Sequence, residues 1–128
     1  MEEKNNPLSP HLQIYRWQIS SLLSITHRII GVINIIAITM ICFWSLYLLL
    51  GAENYLSINN FFKSFICKFI ATGLCWTFSF HILNELRHLF WDLGYGFDLK
   101  ISKITGVLTL IGSFVLTILF YLIGKNIL

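Results

Sequence analysis

The stretch that decides the architecture is His81-Ile-Leu-Asn84-Glu85-Leu-Arg87-His88-Leu-Phe-Trp91-Asp92-Leu-Gly94. It ends a nearly uncharged apolar run, as a membrane helix does where it reaches water and gathers its ionisable side chains. His81, Glu85 and His88 stand at i, i+4 and i+7, which puts them on one face of that helix. Counting inward from Lys68, about 20 residues fill a hydrocarbon core about 30 Å thick, so His88 falls near the boundary and His81 about 10 Å inside it. An ionisable side chain at that depth is costly and marks a functional site by default. The competing reading is a neutral histidine hydrogen-bonded to a neighbouring helix.

The whole chain supports a membrane setting. Of its 128 residues, 56% are hydrophobic and 12% charged, and the mean hydropathy is +0.74; soluble domains carry about 25% charge. Three charge-poor stretches hold the apolar content: 24 residues between Arg28 and Glu53, 16 between Lys68 and Glu85, and 21 between Lys103 and Lys125. Each is a candidate span, the middle one requiring Lys68 and Glu85 to snorkel or find polar partners. The fold class expected is therefore an all-α membrane protein of three transmembrane helices, at about 20–50, 62–92 and 104–126. They follow a surface arm over 1–19, and residues 1–128 form a single domain. A transmembrane β-barrel needs alternating segments of about ten residues, and continuous apolar runs exclude it. The net charge of +3 is spread over loops and gives no nucleic-acid surface.

Lysine and arginine set the orientation. Lys4, Arg16, Arg28, Arg87, Lys100 and Lys103 collect on one side, against Lys63, Lys68 and Lys125 on the other. The positive-inside rule then places the N-terminus and the loop from Arg87 to Lys103 in the cytoplasm or matrix, and the C-terminus outside. The N-terminus shows neither a charged n-region with a cleavage site nor an evident transit peptide, so no removed leader is read there. Cys42, Cys67 and Cys75 are odd in number, lack a C-x-x-C spacing and lie in or beside spans, which makes them packing residues.

Residues 1–10, with Pro7 and Pro10, read as an extended polar arm, followed by Tyr15, Arg16 and Trp17 as an interfacial anchor. Ser20 or Ser21 is placed to cap the first helix. Ser24 and Arg28 are one turn apart on one face, with His27 beside them; the plain alternative for Arg28 is snorkelling to lipid phosphates. Helix one begins, and helix two ends, on the same membrane side. Ser24, His27, Arg28, His81 and His88 therefore converge, with a deep imidazole about 10 Å below a shallower arginine and histidine. A haem fits that spacing, its iron on the imidazole and its propionates toward the cations. With one deep histidine, a six-coordinate haem needs its second axial ligand from another chain. Three helices enclose little core, which also points to a partner subunit.

The segments Pro7-Leu-Ser-Pro-His-Leu12, Ser24-x-x-His27-Arg28 and His81-x3-Glu85-Leu-Arg-His-Leu-Phe-Trp-Asp-Leu-Gly94 resemble the cytochrome b membrane-anchor subunit of succinate dehydrogenase, respiratory complex II. The resemblance spans about residues 6–94 and extends in hydropathy through helix three. It implies haem b as cofactor with His81 as axial iron ligand, and His27 and Arg28 near the propionates. It implies ubiquinone as substrate, bound by Ser24 and Arg28. The partners implied are a flavoprotein, an iron–sulfur subunit and a second small anchor that shares the haem, in a bacterial or mitochondrial inner membrane. On its own such a chain is non-catalytic. Three positions depart from the family pattern: Asn6 for arginine, Ile30 for serine or threonine, and Glu85 for glycine or alanine one turn from His81. Competing functions are a haem-free structural anchor and the anchor of a fumarate reductase. A small transporter subunit is disfavoured, because the spans lack internal repeats and paired interruptions.

The small residues of helix three, Gly106, Thr109, Gly112, Ser113 and Thr117, recur every three or four positions and read as a close-packing seam. Gly94 and Gly96 read as helix terminators.

Overall fold

A computed structural model describes residues 17–49, 51 and 62–127. Residues 1–16 of the arm expected over 1–19, with the Pro7 segment, Tyr15 and Arg16, lie outside the described residues, as do 50, 52–61 and 128. Three helices follow one another: α1, Ile19–Leu49; α2, Phe65–Asp92; and α3, Leu99–Ile127. Each is long and apolar enough to cross a membrane. Helix α3 begins five residues earlier than expected, which brings Lys100 and Lys103 from the loop into its first turns.

The turn between α2 and α3 explains that shift. Gly94 takes φ of 85°, the amide of Tyr95 donates to the carbonyl of Phe90 at 3.0 Å, and that of Gly94 to Trp91 at 2.8 Å. This is the doubly bonded Schellman end, in which a residue at positive φ satisfies the helix's last carbonyls. Gly96, at φ 83°, redirects the chain within two residues. The amide of Ser102 then donates to Asp98 at 2.8 Å, opening α3 at once. At the start of α1 the amide of Leu22 bonds the carbonyl of Gln18. Ser20 and Ser21 are therefore already inside the helix and do not cap it.

Packing is inverted relative to a soluble bundle. Most of the large aliphatic and aromatic side chains of the three helices point outward, Phe43, Ile66 and Phe65 being 67%, 68% and 82% exposed. Much of what is buried is small or polar: Asn34, Thr77, Ser79, Asn84, Arg87, Thr109, Ser113 and Thr117. In lipid, apolar side chains gain little by leaving the tails, so close backbone approach and interhelical hydrogen bonds hold helices together. Helices α1 and α2 run antiparallel and are joined where the Thr77 hydroxyl donates to Asn34 Oδ1 at 2.7 Å. Helices α2 and α3 are joined where the indole of Trp76 donates to Ser113 Oγ at 3.1 Å. The seam of α3 faces inward as its spacing requires. At Gly106 the approach is so close that a Cβ would stand 2.6 Å from Leu23 Cδ1 and 3.2 Å from Ile19 Cγ2. A small apolar cluster, Leu23, Ile30 and Phe80, fills the centre with Trp76 and Leu110 against it.

Candidate functional site

The antiparallel pairing of α1 and α2 sets the first turns of one beside the last turns of the other. His81 sits on the α2 face that meets α1. Gly31 lies opposite it, and a Cβ on Gly31 would stand 3.5 Å from His81 Cε1, so a larger residue would press on the ring. One turn nearer the helix end, the imidazole of His27 stacks on that of His81, centroids 4.2 Å apart and planes 13° from parallel. Glu85 completes the group: its Oε1 is 3.0 Å from His27 Nε2 and 4.0 Å from His81 Nε2. The 3.0 Å approach is not along a hydrogen-bond direction. Among the described residues, His27 Nε2 and His81 Nδ1 are buried without a hydrogen-bond partner, a costly state for polar nitrogens. The three ligating atoms of His27, His81 and Glu85 lie within 4.8 Å of one another.

A chamber lies beside this cluster, nearer the ends of α1 and α2. Its volume is about 440 Å³, and Ser20, Ser21, Ser24, Arg28, His88 and Trp91 line it with Ile25. Ser24 and Arg28 share it because they are one turn apart on α1; His88 and Trp91 share it because they are three residues apart on α2. The His88 ring is held by Asn84, whose Nδ2 lies 3.3 Å from Nε2, and by the edge of Trp91, centroids 5.2 Å apart. The ring centroid of His27 lies 5.6 Å from that of His88. The larger apolar groove of about 970 Å³, between Met40, Trp44, Ala71 and Cys75 among others, has no acidic, basic or histidine side chain in its lining.

Arg87 is where the structure corrects the reading of the sequence. Expected within the helix over 62–92 and counted among the charges on the cytoplasmic or matrix side, it is buried in α2 and only 6% exposed. Its Nη2 donates to the carbonyl and the hydroxyl of Ser102, both at 3.0 Å, and its Nε to Thr105 Oγ1 at 3.2 Å. Its Cζ lies 4.1 Å from the Trp91 ring centroid.

Ser24, His27, Arg28 and His81, the site residues expected from the sequence, thus divide in two: His27 and His81 in the cluster with Glu85, Ser24 and Arg28 in the lining of the chamber. His88 shares that lining, and Trp91, Asn84 and Arg87 carried no expected role. Their only sequence signal was spacing, His88 and Trp91 continuing the face that carries His81 and Glu85.

Residues 2–120 match the family described as succinate dehydrogenase/fumarate reductase transmembrane subunit. The chain belongs to that family. It is similar to the succinate dehydrogenase cytochrome b556 subunit of Rickettsia felis, 44% identical over 115 residues that cover 90% of each chain. The Paracoccus denitrificans b556 subunit is 34% identical over 115 residues, 90% of this chain and 88% of the relative. The cytochrome b560 subunit of Reclinomonas americana is 35% identical over 127 residues, 93% of this chain and 86% of the relative. With three membrane-crossing helices, this member of the family is a multi-pass inner-membrane subunit of the complex II cytochrome b type.

Proposed function

We propose that the chain is a single-domain anchor of a succinate:ubiquinone oxidoreductase, holding haem b at His81 and contributing Ser24 and Arg28 to the site where ubiquinone is reduced. The observation that carries the haem assignment is the His27–His81 pair. His81 presents an imidazole where α1 and α2 meet, its Nδ1 buried and without a hydrogen-bond partner and its Nε2 4.0 Å from Glu85 Oε1; a histidine imidazole is an axial ligand that haem iron takes. The His27 and His81 rings stack face to face at 4.2 Å and could not both hold one iron, so a second ligand would come from the other small anchor subunit. His27 and Arg28, on the side of His81 toward the helix end, would meet the propionates.

When bound, haem b supplies a one-electron store beside the quinone. The residues of this chain bind and polarise. Ser24 donates a hydrogen bond to a quinone carbonyl, and Arg28 stabilises the negative charge that grows on that oxygen as electrons arrive from the iron–sulfur subunit. His88, fixed by Asn84, holds the ring from the α2 side. A flavoprotein subunit oxidises succinate and feeds the iron–sulfur clusters. The N-terminus and the α2–α3 turn face the cytoplasm or matrix, where these soluble subunits dock, and the C-terminus faces out. The clustering of Arg28, Lys100 and Lys103 at one end and Lys63, Lys68 and Lys125 at the other supports that orientation.

One observation favours a second reading, a haem-free anchor: the Glu85 carboxylate stands 4.0 Å from His81 Nε2, where it pairs with the imidazoles itself. Reduced-minus-oxidised absorption spectra of the purified complex decide between them. A b-type spectrum lost in His81→Ala supports haem ligation, whereas a complex that reduces quinone with no b-type absorption assigns the chain to the haem-free class.

A further inference from the structure

The buried Arg87 is unexplained by haem or by direct quinone contact. A guanidinium is costly to remove from water, and among the described residues no carboxylate lies within ion-pair distance of it. Interhelical hydroxyl contacts alone would be made more cheaply by a neutral side chain. What a cation adds is its attraction to the face of an indole, and the Arg87 guanidinium lies over Trp91 at 4.1 Å. Trp91 in turn walls the chamber that holds Ser24 and Arg28 and meets the ring of His88 edge-on. The fork is itself fixed from α3, by three hydrogen bonds to Ser102 and Thr105.

We infer that Arg87 is a positioning residue for the quinone pocket. It holds the Trp91 indole as the aromatic wall against which the planar quinone head group packs, and so links the first turn of α3 to quinone affinity. The inference rests on the assignment of the Ser24–Arg28 chamber as the quinone site and adds to it a determinant outside the chamber. A planar π-system gains by contact with an indole held at a fixed angle, and a side chain free to rotate loses part of that gain.

The test uses the complete complex, with its partner subunits, in membranes. The readouts are KM and kcat for a short-chain ubiquinone, alongside succinate-dependent dye reduction at the soluble subunits. Trp91→Leu is expected to raise the quinone KM about three- to tenfold, with kcat changed less than about twofold, the range that aromatic and cation–π contacts span. Trp91→Phe retains an aromatic wall and should stay near the parent. Arg87→Gln should raise KM comparably, Arg87→Lys less, and Arg87→Gln with Trp91→Leu no more than Trp91→Leu alone, because both act through one wall. A purely structural Arg87 would instead lower dye and quinone activities together at unchanged KM, and that result overturns the inference. So does a double variant whose KM effects multiply. If Arg87→Gln fails to assemble, Ser102→Ala with Thr105→Val loosens the fork while keeping the charge; a raised KM supports the inference and an unchanged one overturns it. Ser24→Ala separates the two levels: if it impairs quinone reduction while the Trp91 and Arg87 variants leave KM alone, only the positioning role falls. If Ser24→Ala leaves quinone kinetics intact, the pocket assignment falls and takes the positioning role with it.

Discussion

His27 and His81, from different helices, stack face to face with ring centroids 4.2 Å apart, while His88, its ring 5.6 Å from that of His27, lines the chamber beside them. The three histidines are therefore unequal. His27 and His81 each have a buried ring nitrogen without a hydrogen-bond partner, whereas His88 Nε2 lies 3.3 Å from Asn84 Nδ2.

From that inequality, His81→Ala should abolish the low-spin b-type spectrum of the complex, and His88→Ala should preserve it while weakening quinone reduction. Spectra recorded on both variants at equal protein check this. A normal spectrum in His81→Ala together with its loss in His88→Ala would reverse the ligand assignment.

Ser24 and Arg28 line the chamber one turn apart. Removing a donor that acts on developing charge costs about 10²–10³ in rate in comparable oxyanion sites. Ser24→Ala and Arg28→Leu should lower quinone reduction, by up to that factor, and leave dye reduction by the soluble subunits near the parent value. Parallel loss of both activities would indicate failed assembly, not a lost quinone contact.

Gly106 tests the packing that positions the site. A methyl group there would stand 2.6 Å from Leu23 Cδ1 and 3.2 Å from Ile19 Cγ2. Leu23 is 3% exposed and has little room to yield. Overpacking of this kind costs about 1–3 kcal/mol, so Gly106→Ala should lower the midpoint of thermal inactivation of the complex in detergent. Gly124→Ala, where an added Cβ meets nothing within 4 Å, should not.

The helices and the polar face of α2 were legible because membrane spans and helical periodicity are both written in spacing: long charge-poor runs, and ionisable residues at i, i+4 and i+7. The seam of α3 was legible for the same reason. Arg87 was not. It sits beside His88 in sequence but 100° around the helix, and charge statistics assign an arginine near a helix end to water. Its burial depends on the register of α3, which places the Ser102 and Thr105 hydroxyls over it. That register follows from the Gly94–Gly96 turn, which starts α3 at Leu99 and not near 104. The division of the site into cluster and chamber was hidden likewise. His27 and Arg28 are neighbours in sequence, and only the packing of α2 against α1 turns one toward His81 and the other toward His88.

Glu85 is where the chain departs from the glycine or alanine of the related motif, and the structure turns its carboxylate toward the deep imidazoles: 3.0 Å from His27 Nε2 and 4.0 Å from His81 Nε2. An ionised carboxylate beside a redox centre favours the oxidised, more positive state and so lowers its midpoint potential. At an effective dielectric near 20, a unit charge about 10 Å away contributes about 1.7 kcal/mol, or about 70 mV for one electron. One feature reduces that figure: the Glu85 side chain, 57% exposed, is screened where it meets water. What survives is a shift of some tens of millivolts with a fixed sign: Glu85→Gly should raise the haem midpoint at neutral pH. Redox titration of parent and variant, with haem content measured in both, decides it. An unchanged or lower midpoint at full haem content would sink the idea that an ionised Glu85 acts on the iron, and would leave the carboxylate as a partner of His27 alone.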